Sequence, residues 1–179
     1  MAYAEDGPRG LYFLADLANL VRDQPEVGLA GLQAVVTQHG GPELGPASAA
    51  RLREAVGEIA AILGEKDEDR AAEAINALLD RYPSRPRLTR LPGRPWAVHT
   101  RTPDGAAPAE WLLGVAGLAL ALWLGDRGHC AWGRCAAPGC GRYFIDTGRR
   151  EPQRYCSTAC GTRVRVAAHR AKRGTEPAG

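Results

Sequence analysis

No cysteine precedes Cys130 in this 179-residue chain, and no uncharged apolar run is longer than the one from Trp111 to Leu124. A helix that spans a bilayer needs about 20 such residues, so no membrane partner is expected and this shorter run reads as a buried core helix. The N-terminus also lacks the pattern of a secretory address. Its apolar stretch from Leu11 to Val21 follows Glu5 and Asp6 rather than a basic region, and Asp16 and Asn19 interrupt it. A cytoplasmic protein is expected. There is no Gly-rich phosphate loop, nucleophile elbow, HExxH or convincing carboxylate pair, and therefore no sign of an enzyme. Internal repeats and long low-complexity segments are absent too.

What the chain does contain is ordinary for a globular protein: 45% hydrophobic, 24% charged and 6% aromatic residues. At this length one domain plus a small module is the natural organisation. Charge divides it in the same way. From Arg134 onward there are ten Lys and Arg against three Asp and Glu, a net of +7, whereas the chain before Arg134 holds 13 against 17, a net of -4. The overall +3 therefore hides a basic module, suited to a polyanion, on a mildly acidic body.

Hydrophobic spacing predicts a mainly α fold: a multihelical N-terminal domain with a small β-hairpin, then a small C-terminal module with a basic helix, which the cysteine spacing makes a zinc finger. Leu11, Leu14, Leu17, Ala18 and Val21 recur at helical spacing. A second helix is expected to follow Pro25 and stop at Gly40-Gly41. A third runs from about Ser48 to Leu63 on a stripe of Leu52, Ala55, Val56, Ile59 and Leu63. A fourth, with Asp67 as N-cap, turns Ala71, Ala74, Ile75, Leu78 and Leu79 to the core. Arg87 to Leu91 and Trp96 to Thr100 flank Pro92-Gly93 as a hairpin. After a loop from Thr102 to Ala107, the apolar helix begins near Pro108 and ends at Gly125, with Gly114 and Gly117 marking close packing. The expected division is 1–128 for the helical domain, 129–174 for the finger and 175–179 for a disordered tail.

Four of the five cysteines carry the strongest signal. Cys135, Cys140, Cys156 and Cys160 are separated by four, fifteen and three residues, two close pairs that suit tetrahedral zinc. Pro138-Gly139 supplies a turn before Cys140, and Ser157 can cap a helix whose first turn carries Cys160. About 45 residues with few large apolar groups build little core, whereas zinc can supply on the order of 10 kcal/mol of folding energy. One structural Zn2+ is the reading. Catalytic zinc would need an open position, which four thiolates do not leave, and neither pair has the CxxC spacing of a redox dithiol. Cys130 reads as a buried small side chain outside the set, and His39 and His99 have no recognisable ligand partners.

On a helical wheel starting at Cys160, Val164, Ala167, Ala168 and Ala171 fall on the zinc side, and Arg165, His169, Lys172 and Arg173 fall opposite. Arg149, Arg150 and Arg154 precede the helix. This cationic face predicts contact with nucleic acid, DNA first and RNA second. The competing use is charge balance, because zinc with four thiolates carries a net charge of about -2. Ten cations exceed that need. A protein partner docking on the zinc element is the alternative function.

The run Cys135-Ala-Ala-Pro-Gly-Cys140, Phe144-Ile-Asp146, Arg149, Arg154-Tyr-Cys156-Ser and Cys160-Gly-Thr-Arg163 resembles the CGNR zinc finger of bacterial proteins. Asp16-Leu-Ala-Asn19 looks like the Asp-x-x-Asn signature of the ABATE domain that precedes this finger, and Asn76-Ala-Leu-Leu79 matches a phrase of that domain. The resemblance implies a helical domain joined to a zinc module in proteins regarded as stress-induced transcriptional regulators. It places the signature Gly and Arg at Gly161 and Arg163. Thr162 replaces the signature Asn, removing an amide that could pair with a base; Gly148, Gln153 and Tyr155 stand where Ser, Arg and Trp are usual. Thr162 and the arginines are the remaining groups near the helix start that can meet a base edge. Asp16 and Asn19, three apart on one helix face, read as a hydrogen-bond brace to another segment rather than an effector site. A homodimer would raise specificity by pairing half-sites, and no residue names a small-molecule effector.

Overall fold

Helix α1 (Arg9–Asp23) buries Leu11, Phe13, Leu14, Ala15, Leu17 and Ala18, a wider arc than one amphipathic stripe, because neighbours cover it from several sides. The computed structural model describes residues 9–45, 49–83, 85–90, 96–101, 105–148 and 151–174. Ser48, Pro92-Gly93, Arg149, Arg150 and the expected 175–179 tail lie outside the described residues. Six helices and two antiparallel two-stranded ribbons make up the described chain, as the mainly α reading expected.

Helix α2 (Leu29–Gln38) begins later than Pro25 suggested. The Val27 N–H donates to Gln24 O at 3.0 Å, so Pro25 takes the second position of a tight turn, where its fixed φ is favoured, and the helix starts after Gly28. In α3 (Ala49–Gly64) the predicted stripe is buried, joined by Ile62. In α4 (Glu68–Arg81) the Asp67 side chain accepts the Arg70 N–H at 3.0 Å, the expected cap.

Strands β1 (Arg85–Arg90) and β2 (Trp96–Arg101) pair in register from Arg85 opposite Arg101 to Arg90 opposite Trp96. The ribbon thus starts two residues earlier than expected. Helix α5 (Pro108–Arg127) runs past Gly125 and ends at Gly128, whose left-handed φ of 66° terminates it. By length and composition α5 could cross a bilayer. Here it lies against α1, α3 and α4, with Leu112, Leu113, Ala116, Leu120 and Trp123 buried and Gly117 seated on Leu78 and Leu79.

Strands β3 (Trp132–Arg134) and β4 (Tyr143–Ile145) form the second ribbon, and α6 (Thr158–Gly174) ends the described chain. Two cores result. Trp132 and Ile145 join the large helical core, each buried side chain stabilising by about 1.5–3 kcal/mol, while Cys135, Ala137 and Cys160 form a small second cluster. The Trp132 indole N–H donates to Ile62 O at 3.0 Å, and that of Trp123 to Ala131 O at 3.2 Å, so the chain leaving α5 is tied to the body.

One expectation fails on α6. Val164 is half-buried, but Ala167, Ala168 and Ala171, placed on the zinc side by the wheel, are exposed together with Arg165, Val166, His169 and Arg170. The cysteine cluster is only deep enough to cover the first two turns.

Candidate metal centre

Each ligand is set by a local device. Gly139 and Gly141, with φ of 73° and 62°, flank Cys140 in left-handed conformations that a side chain resists, and the Cys140 N–H closes the turn onto Ala137 O at 3.0 Å. The Cys135 N–H donates to Arg142 O at 2.8 Å, and the Ala136 N–H to Arg154 O at 2.9 Å, which ties the first knuckle to the chain entering the second pair. Ser157 Oγ accepts the Cys160 N–H at 3.2 Å, capping α6 as the sequence predicted.

These devices bring the four thiols together. All four Sγ atoms lie within 4.8 Å of one another. Cys140 to Cys156 is 3.7 Å, Cys156 to Cys160 is 3.8 Å and Cys160 to Cys140 is 3.8 Å. A tetrahedron with Zn–S bonds of about 2.3 Å has S···S edges of about 3.8 Å, so the donor set fits one zinc ion. A backbone hydrogen bond from Arg142 pulls the Cys140 thiol down to about 7, while burial and the adjoining thiols push Cys156 up to about 12. One thiolate thus forms readily and opposes its neighbours. Zinc takes up all four as thiolates, so its binding releases protons and weakens as pH falls.

Cys130 stays outside this cluster. It is half-buried, and desolvation, then Glu68, Glu65 and Asp67, push its thiol up to about 11. At pH 8 its thiolate fraction is about 10⁻³, so iodoacetamide should modify it roughly a hundredfold more slowly than an ordinary thiol. Peptide mapping of the zinc-loaded protein checks this; rapid labelling of Cys130 would contradict its surroundings.

Helix α1 holds the finger from the other side. Buried Asn19 makes a two-point bracket on β4: its Oδ1 accepts the Tyr143 N–H at 2.8 Å and its Nδ2 donates to Tyr143 O at 3.0 Å. This is the predicted brace. Asp16 instead pairs with His39 at 2.8 Å, at the surface. One turn beyond Asn19, Arg22 donates to Cys140 O and Asp23 accepts from Arg142 at 2.8 Å. Buried Asp146 accepts the Gly148 and Gln153 N–H groups at 2.8 and 2.7 Å, closing the loop between the cysteine pairs. Sequence reading missed Arg22, Asp23 and Arg142, whose partners lie far away along the chain, and no local pattern points to them.

The cations lie in two places. Arg163 reaches toward Cys160 Sγ at 3.7 Å, where it balances the thiolates. Arg154 and Arg165 line one cleft of about 500 Å³ at the start of α6, with Ser157, Thr158 and Gly161. Thr162 is exposed and accepts from Arg165 at 3.1 Å, and His169 is exposed further along. Lys172 and Arg173 lie on the last described turn, their side chains outside the described residues.

No curated protein matches the chain. Residues 132–173 match the CGNR zinc finger, and residues 6–126 match ABATE, described as "Putative stress-induced transcription regulator". With the bracketing Asn19 inside the second stretch and all four converging cysteines inside the first, the chain belongs to the ABATE family and carries a CGNR zinc finger.

Proposed function

We propose that this protein is a DNA-binding transcriptional regulator without catalytic activity, in which zinc anchors the base of α6 and its cationic outer turns lie against duplex phosphates. The observation that carries this reading is the exposure of every side chain from Arg165 to Ala171. A helix of mixed polarity normally hides its apolar face, whereas this one stands clear of the body, as a helix entering a groove must. Arg154, before α6, and Arg165, in its second turn, line one cleft and suit neighbouring phosphate contacts. Arg163, engaged with the thiolate, serves the metal.

The test is retention of sheared genomic DNA by the zinc-loaded protein at about 0.15 M salt, where weak phosphate binding is suppressed. Enrichment of a common motif is the expected result. Replacing Arg154 and Arg165 with Gln should lower the slope of log affinity against log salt by about two, since each phosphate contact contributes about 0.9. Absent DNA binding, with a stoichiometric protein partner recovered instead, would replace this reading with a docking function for the finger.

A further inference from the structure

The basic character of this chain has a second centre. Residues 82–103 hold five arginines and no Asp or Glu, a net of +5, while the rest of the chain before Arg134 holds eight Lys and Arg against 17 Asp and Glu, a net of -9. The mildly acidic body is therefore a strongly acidic one carrying a cationic insert, and that insert contains the β1–β2 ribbon. Directly opposed residues of an antiparallel pair share a face. Leu88 opposite Val98 and Arg90 opposite Trp96 make one face, which is turned outward: Leu88, Trp96 and Val98 are 61%, 59% and 43% exposed. Thr89 and His99, on the other face, are half-buried, and β2 rests on α5. Arg85 and Arg87, in register with Arg101 and His99, belong to this second face but are themselves exposed, beyond the part that Thr89 and His99 occupy.

We propose that this ribbon is a second contact element for duplex DNA, with the Leu88–Trp96–Val98 face against sugars and bases and the long, exposed side chains of Arg85 and Arg87, on the opposite face, reaching the phosphates at the rim of the groove. The inference rests on the DNA-binding reading above and adds a site separate from the finger. A two-stranded ribbon fits the major groove, and apolar side chains on such elements also wedge into the minor groove. Six residues per strand make the ribbon about 20 Å long, roughly the rise of six base pairs. A stretch from 82 to 103 without one carboxylate, on a body of net -9, suits a polyanion better than a protein surface with mixed charge.

The experiment measures binding of the full zinc-loaded chain to a mixed-sequence duplex between about 0.05 and 0.2 M salt. It compares the wild type with R85Q/R87Q, W96A and R154Q/R165Q, each checked for unchanged helicity by circular dichroism. R85Q/R87Q should reduce the salt slope by about two. W96A should weaken binding roughly five- to a hundredfold with the slope unchanged. DNA should also shield Trp96 from acrylamide, a signal read as the difference from W96A because Trp123 and Trp132 are buried and half-buried Trp111 contributes equally to both. Ribbon variants that behave as wild type while R154Q/R165Q lowers the slope would overturn the ribbon and leave the finger reading intact. No salt-dependent binding by the wild type would remove both. Shielding of Trp96 by anionic lipid vesicles and not by DNA would assign the ribbon to a membrane surface instead.

Discussion

Replacing Cys156 with Ser is expected to release zinc and melt α6 while leaving the helical body folded. Cys156 is half-buried on the loop before α6, so the exchange removes a ligand with little loss of packing. Spreading about 10–16 kcal/mol of zinc binding over four thiolates makes one ligand worth about 3 kcal/mol, more than a hundredfold in affinity. What distinguishes this finger is where the damage should stop. The small cluster around Cys135, Ala137 and Cys160 has only the partly buried Tyr155 and Val164 beside the thiols as apolar support, so residues 135–142 and α6 lose their order. Trp132 and Ile145 belong to the large core and remain with it. Hydrogen exchange should show rapid loss of protection in α6 and slow exchange preserved in α1, α3, α4 and α5, and a chelator should reproduce the pattern on the unaltered protein. Protection of α6 that survives zinc removal would mean that the metal does not hold it. Cooperative loss of the whole chain would mean that the two cores are one.

Asn19→Ala should be the most damaging single change in α1 that removes no large apolar group. It leaves the Tyr143 N–H and C=O without their partners at a part-buried site, at a cost of about 1–3 kcal/mol for each group, or roughly 3 kcal/mol in all with partial rehydration. Asn19→Asp keeps the acceptor and loses the donor, and should fall between Ala and the wild type. The matched control is Asp16→Ala, which breaks an exposed pair with His39 and should cost at most about 1 kcal/mol. Urea unfolding followed by tryptophan fluorescence orders the three variants. Equal effects for Asp16→Ala and Asn19→Ala would mean that the bracket adds nothing to the attachment of β4.

The readings that held rest on short-range rules. Helical spacing named the buried stripe of α3 before any packing was known, the Asp67 and Ser157 caps follow from side-chain oxygens beside free N–H groups, and the four cysteines converge because two tight knuckles are built into their local sequence. The errors have equally local causes. Pro25 suits a helix start and a turn about equally well, and the Gln24–Val27 hydrogen bond decided for the turn. The helical wheel assigned Ala167, Ala168 and Ala171 to a packed face because periodicity shows which residues share a side, not whether anything lies opposite.

The sequence by itself thus determined the helical class, the ligand set and the position of the basic helix, since spacing, capping and thiolate chemistry act within a few residues. Only the tertiary structure decided that Asn19, Arg22 and Asp23 grip the finger, that Trp132 and Ile145 sink into the helical core, and that α6 and the β1–β2 ribbon stand exposed. Those outcomes depend on which surfaces meet across long separations in the chain. Burial is a property of both partners, and one segment carries the pattern of only one of them.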